Sequence, residues 1–490
     1  MAEVFVLNPP VVKDFCRSAR WAAKSRGRVQ RHPDWLLIAV AVMEEAKFEV
    51  EFLDGCAMNL GQRQVVSILK KSRPGLLVLH TTTPSIDSDL SFASLAKECL
   101  SDCRTVMVGP HVTAEPEDTL MRADGTLDVV VRGEYDYTLR ELAGLSASRW
   151  NDQRLAKVSG ISYLDSEGQM VNTSSRPYLD VNELPFPAWR HIDPKWYRDA
   201  AKRFPFITLI SGRGCFGNCT FCRDVPLMEG RKLRMRDPQL VVDEIEYVFS
   251  LFPYLREIMF ETDTFTATPK HVQGICEEII NRGLKVTWSC NCRTDVDLKL
   301  LPVMKRAGCR MLMVGFEFGT QESLDAVKKG TTLEQSMRLA EEAQRLGFTV
   351  HGCFMFGAPG ETKESALKTI ELAKSLPMDT VQFSGICAYP GSEIYRWADE
   401  RGFLLPKAWR KWVDENWEQA TVLSYPELSK DEIDRLIDKG LKEFYLRPKQ
   451  VLRMARGICT WDDLRRKLYG LQKFMKVQLP VHGANSDSNC

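Results

Sequence analysis

The chain is short of histidine, of net charge and of long apolar runs, and each shortage excludes something. Seven histidines (His32, His80, His111, His191, His271, His351 and His482) are scattered over 490 residues, with no two at metal-pair spacing. A histidine-rich metal site is therefore not expected. Formal net charge is +1, with 66 Lys and Arg against 65 Asp and Glu, so no strong field points to a nucleic acid or an anionic membrane. The longest apolar run, Trp35–Met43 ("WLLIAVAVM"), is too short to span a bilayer and reads as a buried helix face. The start, "MAEVFVLNPP", lacks the basic stretch of a leader and enters a strand directly, so no signal peptide is expected. No solenoid-period repeat and no low-complexity segment is found. What the chain has in quantity is cysteine, with fifteen residues in an otherwise ordinary globular composition of 44% hydrophobic and 27% charged residues. Without a secretion signal these argue for reduced thiols or metal ligands and for a cytoplasmic location.

Residues 1–145 alternate apolar strands ("VFVLNPP", "FEVEFLDG", "GLLVLHTTT", "RTVMVGPHV", "DVVVRGE") with helices such as Pro33–Ala46 and Ile86–Cys99. That alternation predicts an α/β fold with a doubly wound, Rossmann-like parallel sheet. Its carboxyl-end loops at Asn8, Asp54, Thr81–Thr83, Gly109–His111 and Gly133–Glu134 form a row able to hold one large, flat ligand. No G-x-G-x-x-G follows the first strand, which makes a dinucleotide a poor candidate. Residues 146–200 read as a connector with a β-hairpin turning at Ser166-Glu167-Gly168. Six strand-and-helix units fill 201–390, too few for an eight-fold barrel and suited to an open, partial (β/α)6 barrel. Residues 391–490 turn to charged helices, "KDEIDRLIDKGLKEFYL" and "TWDDLRRKLYGLQKFMKV", ending in a frayed "HGANSDSNC".

The sharpest signal is "SGRGCFGNCTFCRD", residues 211–224, directly after the first barrel strand. Cys215, Cys219 and Cys222 stand as CxxxCxxC on a loop whose glycines (Gly212, Gly214, Gly217) let the backbone wrap closely. Three thiolates hold three irons of a [4Fe-4S] cluster and leave one iron open, the mark of a catalytic rather than a structural metal site. Strand parity sorts the neighbours. In "VTWSCNCR", Thr287, Ser289, Asn291 and Arg293 are expected to face the lumen, and Val286, Trp288, Cys290 and Cys292 the helices. Glu261 and Asp263, then Glu317, then Gln382 and Ser384, are placed at the barrel mouth by the same rule, where acidic and polar groups suit a zwitterion with a ribose.

The CxxxCxΦC motif, with Phe221 before the last cysteine, resembles that of the radical S-adenosylmethionine (SAM) superfamily. The resemblance implies that SAM chelates the open iron and that the reduced cluster cleaves it to a hydrogen-abstracting 5′-deoxyadenosyl radical. "FETDTFT" resembles the family's F-x-D-D-x-F stretch near the SAM amino group, with Thr262 in place of the first aspartate and Glu261 and Asp263 as candidates. "GFEFG" resembles G-x-E-S-G, with Phe318 for the serine, and "FMFGAPGET" resembles the G-x-P-G-E turn. Arg293, Glu317 and Ser384 complete the expected SAM contacts.

The first domain resembles the cobalamin-binding domain that precedes many radical SAM domains, through "LNPP", "FLDGCAMNL", "TTTPS", "VGPHVTAEPEDTL" and "DVVVRGEYDYT". On that likeness Asn8, Asp54, Thr82, Thr83, Ser85, Gly109, His111, Gly133 and Glu134 are the expected cobalamin contacts. No D-x-H occurs, so no lower axial histidine is expected from that motif. Tyr135 and Asp136 replace part of the common "GEGE" and read best as the start of a helix. "SRGRVQRHPDW" (Ser25–Trp35) carries four basic residues and suits corrin amides, a phosphate, an acidic substrate or an exposed loop alike.

The leading expectation is an oxygen-sensitive, cobalamin-dependent radical SAM methyltransferase acting on an unactivated carbon and served by an electron donor such as flavodoxin or ferredoxin. Cyclisation, ring contraction or carbon–carbon coupling with the same cofactors is the alternative. A methylthiotransferase is disfavoured, because Cys16, Cys56 and Cys103 are widely separated and no basic RNA-binding appendage follows the barrel. A non-enzymatic sensor lacks an output module. Lipid, tetrapyrrole, peptide and antibiotic substrates all stay open. Trp409, Trp412 and Trp417 are read either as a cover over the barrel mouth or as plain packing.

Overall fold

The computed structural model describes residues 3–18, 22–145 and 150–456. The expected second charged helix and the frayed tail lie outside the described residues. Strands β1 (Val4–Asn8), β2 (Val50–Asp54), β3 (Leu76–His80), β4 (Arg104–Val108) and β5 (Val129–Val131) form a parallel sheet in the order 2-1-3-4-5. Strands β1 and β5 are buried along their whole length, as a sheet covered by helices on both faces requires. The winding direction reverses between β1 and β3, which makes the loops at Asn8–Pro10 and Thr81–Ser85 the edges of a ligand crevice. The expected hairpin is β6 (Ile161–Leu164) and β7 (Met170–Asn172), with Gly168 at φ 76° in its turn. It is not a free-standing connector piece: β6 pairs antiparallel with β5 and extends the first sheet.

The helix Asp34–Glu45 buries nine of its twelve residues. Leu36, Ala39, Val40 and Met43 pack under the first sheet, Leu37 enters the core of the second, and Ile38 and Val42 meet Leu179 and Leu184. Three apolar faces serve three neighbours, which explains the nearly unbroken apolar run.

The second sheet begins with β8 (Phe206–Leu209). A two-stranded ribbon, β9 (Gly212–Arg213) against β10 (Arg234–Met235), then closes the base of the cysteine loop. Strands β11 (Glu257–Phe260), β12 (Trp288–Arg293), β13 (Cys309–Glu317), β14 (Thr349–Phe356) and β15 (Thr380–Gly385) follow, all parallel, in the order 15-14-13-12-11-8. This is the expected six-unit partial barrel, with β8 and β15 as its two edges. The β12 parity holds. Trp288, Cys290 and Cys292 lie in the core against the helices, whereas Ser289 donates to Glu257 Oε1 (2.7 Å) on the other face.

Beyond β15, the helix Lys430–Tyr445 packs on the outer barrel strands. Gly440 admits the Phe383 ring to within 3.0 Å of where a Cβ would stand, and the Tyr445 hydroxyl meets both backbone groups of Val381 at 2.9 Å. Among the described residues, no helix is long and apolar enough to cross a membrane.

Candidate active site

The cysteine loop is shaped by glycine and pinned from three sides. Gly214 has φ 91°, and a Cβ there would stand 2.2 Å from the Lys232 carbonyl oxygen. At Gly217 a Cβ would stand 3.2 Å from Arg293 Nη1, 3.3 Å from Cys215 Sγ and 3.7 Å from Cys219 Sγ, so a side chain there would crowd two of the sulfurs. Thr220 N–H donates to the Val327 carbonyl (3.0 Å), Ile394 N–H to the Thr220 carbonyl (3.0 Å), and Cys215 N–H to the Gly230 carbonyl (3.3 Å). Cys215 is buried, and Cys219 and Cys222 are half-buried. A cleft of about 450 Å³ reaches Cys219 and Cys222 between Arg231, Lys328, Arg396 and Trp397. Burial pushes the Cys219 thiol up, against the pull of Lys329 and Arg293. Among the described residues no three His, Cys, Asp or Glu side chains are gathered as ligands of a single ion. The thiolates of a cube each bind a separate iron and so stand further apart.

The expected mouth residues converge beside this loop. Arg293 donates to Asp295 (2.8 and 2.9 Å) and to the Lys329 carbonyl (3.1 Å), and its guanidinium lies 5.1 Å from the Phe216 ring. Glu317, at φ 68°, receives Lys329 Nζ at 2.6 Å. Lys329 Nζ is in turn 6.0 Å from the Phe221 ring. Lys329 carries no signal in the sequence, because nothing in "VKKGTT" distinguishes a buried lysine from a surface one. Glu261 Oε2 and Ser384 Oγ are buried without a hydrogen-bond partner among the described residues. Asn291 Nδ2 supports the turn by donating to the carbonyls of Glu261 and Thr262 (3.3 Å each). Thr262, at the position of the family's first aspartate, accepts the Ser211 N–H (2.8 Å) and so ties the β11 turn to the exit of β8. In the "GAPGE" turn, Glu361 Oε2 accepts the N–H groups of Gly357 (2.5 Å) and Ala358 (3.2 Å); burial pushes its carboxyl up to about 7.

The first sheet's loop row is braced from beneath. Buried Arg17 donates twice to the Pro9 carbonyl (2.8 and 3.0 Å) and to both oxygens of Asp89, whose Oδ2 also receives Ser85 and Thr81 at 2.7 Å. Thr82 Oγ1 and Ser85 Oγ are 2.8 Å apart, and Thr83 Oγ1 is 3.3 Å from His111 Nδ1. Asn8 donates to Asp54 (2.9 Å), and so does the Tyr197 hydroxyl (3.0 Å); burial still pushes the Asp54 carboxyl up to about 6. A Cβ on Gly109, at φ 123°, would stand 2.4 Å from the Thr81 carbonyl oxygen. Gly133 N–H donates to Thr113 Oγ1 (3.1 Å).

The two loop clusters face each other. The turn Val225–Glu229, just beyond Cys222, packs on the Pro110–Ala114 helix, where Thr113 Oγ1 meets Met228 Sδ at 3.5 Å. Arg213, two residues before Cys215, is fully buried and donates to Asp136 (2.8 and 3.2 Å) and Glu134 (3.2 Å), with Trp35 3.9 Å below its guanidinium. Arg234 adds a second bridge to Glu134 (2.6 and 3.1 Å). Glu134, expected beside the ligand, therefore has its carboxylate committed to the joint between the halves, where Leu179 N–H also reaches it (3.2 Å). Asp136 begins a helix, Asp136–Ala143, as expected, and its charge faces Arg213.

The basic loop at 25–35 is not a free anion trap. Arg26 pairs with Asp438, Arg28 with Glu418 and Arg31 with Asp199 (2.8–2.9 Å each), while His32 is buried and packs on Tyr197 with ring centroids 3.9 Å apart. The tryptophan segment is likewise a bridge. Trp409 donates to Asp118 (2.7 Å) and lies 5.0 Å from the His111 ring, Trp412 donates to the Ala388 carbonyl (3.0 Å), and Trp417 meets Phe15 at 5.6 Å.

A family model of the radical SAM superfamily matches residues 209–373, and one of the B12 binding domain matches 26–143. The chain is 31% identical over 420 residues to an uncharacterised methyltransferase of Pyrococcus horikoshii, covering 85% of this chain and 88% of that one. It is 28% identical over 369 residues to the anaerobic magnesium-protoporphyrin IX monomethyl ester cyclase of Rubrivivax gelatinosus, covering 74% and 66%. The radical SAM methyltransferase TsrM of Kitasatospora setae, solved with cobalamin and a [4Fe-4S] cluster bound, shares the fold at TM-score 0.70 and 15% identity, over 98% of this chain and 100% of that one. The chain belongs to the cobalamin-binding radical SAM enzymes. Its cofactors are a [4Fe-4S] cluster, S-adenosylmethionine and cobalamin.

The residues present suit those groups. Gly217 leaves free the space beside two of the three sulfurs that a side chain would fill, as a closely wrapped cluster needs. Where the halves meet, His80 Nδ1, His111 Nε2 and Arg223 Nη1 are buried without a hydrogen-bond partner among the described residues. Such a set of orphaned groups suits a ligand fringed with amides. Burial lowers both histidines to about 3, so they are neutral.

Proposed function

We propose that this enzyme methylates an unactivated carbon of a small-molecule substrate. The supporting observation is the direct apposition of the two loop clusters, joined through Arg213 and Arg234 to Glu134 and Asp136. In the proposed site, Cys215, Cys219 and Cys222 hold the cluster. Glu261 and Asp263 receive the SAM ammonium, with Arg293, Glu317 and Ser384 around the rest of that ligand. Asn8, Thr82, Thr83, Gly109, His111 and Gly133 form the cobalamin platform. When bound, the cluster with SAM supplies a radical that removes hydrogen, and cobalamin supplies the methyl group. The protein's share is to fix the distance between the two cradles and to keep water out. The Trp409–Trp417 segment, which links the barrel exit to His111 and Phe15, suits the second task.

A carbon-bond-forming cyclisation is the second reading, favoured by the likeness to the Rubrivivax cyclase. We place the enzyme in the cytoplasm, reduced by a small carrier of the flavodoxin or ferredoxin type. The products separate the two readings. Anaerobic turnover with SAM and candidate substrates is expected to yield S-adenosylhomocysteine and 5′-deoxyadenosine in about equal amounts, because one SAM gives its methyl and another its adenosyl group. 5′-Deoxyadenosine alone, with a cyclised or rearranged product, decides for the second reading.

A further inference from the structure

Arg223 directly follows the last cluster cysteine, yet its contacts lead to the loops of the first sheet. It is buried, and Asp224 Oδ1 takes both its Nε (2.7 Å) and its Nη2 (2.6 Å). The Tyr389 ring lies beside the guanidinium, its centroid 4.5 Å from Cζ. Nη1 is buried without a hydrogen-bond partner among the described residues. A buried donor left unpaired is costly, so this position asks for an acceptor from outside the chain.

Two lines of contact run from Arg223 to His111 and close a ring. On one side the Arg223 carbonyl accepts the Leu227 N–H (3.3 Å), and the next residue, Met228, meets Thr113 of the His111 helix (Sδ to Oγ1, 3.5 Å). On the other side Tyr389 follows Ala388, whose carbonyl accepts Trp412 (3.0 Å). Trp412 lies 5.2 Å from Trp409, and Trp409 lies 5.0 Å from His111. His80 joins at the same end, its Cδ2 3.2 Å from where a Cβ on Gly109 would stand, two residues before His111. His80 Nδ1 and His111 Nε2 share the unpaired state of Arg223 Nη1. Burial above all, with the Arg223 charge acting in the same direction, keeps both rings neutral. Asp224 already balances Arg223, so the unpaired groups bring no free charge. A neutral amide matches them: its carbonyl accepts from a guanidinium, and its NH2 donates to a neutral ring nitrogen.

We propose that Arg223 Nη1 donates to the carbonyl oxygen of a corrin side-chain amide, which makes the exit of the cysteine loop part of the cobalamin site. The platform residues all stand on the first sheet; Arg223 reaches the same cofactor from the barrel half. Asp224 and Tyr389 fix the plane of its fork, so that one arm is left for the ligand. One residue beside Cys222 then touches the second cofactor, and each cradle helps to hold the other in place. The proposal rests on the reading of the first-sheet loops as the cobalamin platform, and holds for methylation and cyclisation alike.

The test uses full-length enzyme carrying its iron–sulfur cluster, dialysed anaerobically against hydroxocobalamin, with bound corrin read from its absorbance. Arg223→Met keeps the stem without a donor and is expected to bind hydroxocobalamin about 10-fold or more weakly at unchanged iron content. Arg223→Lys keeps a charge for Asp224 but no second arm, and is expected to bind about 3-fold or more weakly. Should Arg223→Met lose its iron, Arg223→Lys decides. Wild-type affinity in either iron-replete variant overturns the proposal. Cobinamide keeps the corrin amides and lacks the nucleotide phosphate, so the same loss is expected with it. A loss confined to hydroxocobalamin assigns Arg223 to the phosphate and overturns the amide contact. Undiminished hydroxocobalamin binding by Gly109→Val overturns the platform reading itself, independently of any result at Arg223.

Discussion

Replacing Cys215, Cys219 and Cys222 together by alanine is expected to bring 5′-deoxyadenosine formation down to background. The three thiolates are the whole protein share of the cluster's ligands proposed here. Cys290 and Cys292 are buried against the barrel helices, and burial raises both thiols, Cys292 to about 12. Iron and sulfide content is expected to fall with the activity. Corrin absorbance after cobalamin loading distinguishes a lost cluster from a lost fold, since the cobalamin loops stand on a separate sheet. Persistent 5′-deoxyadenosine in the triple variant contradicts the cluster assignment.

The second large effect is expected at Asp136. Asp136→Ala leaves the Arg213 guanidinium buried with only the shared Glu134 to balance it, in contact with Trp35 at 3.9 Å. Breaking one partner out of a buried ion pair costs about 3–5 kcal/mol. Asp136→Asn keeps the shape and part of the hydrogen bonding and is expected to lose less. A chain with two sheets need not unfold in one step, so the readout is the midpoint of its first urea transition. SAM cleavage is expected to fall with it, because Arg213 leads directly into the cysteine loop. An Asp136→Ala protein with an unshifted first transition and full activity removes the joint from the account.

Much of this architecture is legible in the chain, for identifiable reasons. Strands such as "VFVLN" and "VVV" are apolar on both faces, and parallel sheets demand that. In β12 the alternation is strict enough to send Cys290 and Cys292 outward and Ser289 and Asn291 inward. The joint is a different matter. Arg213 meets an acid 77 positions away, and Arg234 one 100 positions away, so no local pattern couples them. Glu134 lies on a carboxyl-end loop where a ligand contact is the natural expectation, and only the approach of the barrel's cysteine loop reveals its partner. The "SRGRVQRHPDW" loop reads as exposed or ligand-binding because its basic residues are clustered. The fold separates them among Asp438, Glu418 and Asp199, three segments far apart in sequence.

The central claim is that the cluster cradle and the cobalamin cradle face each other across one joint. EPR spectroscopy of enzyme holding both reduced cluster and cob(II)alamin tests it most directly. The two paramagnets are expected to broaden or split each other's signals, beyond what either shows when loaded alone. A spectrum equal to the simple sum of the two singly loaded forms contradicts it.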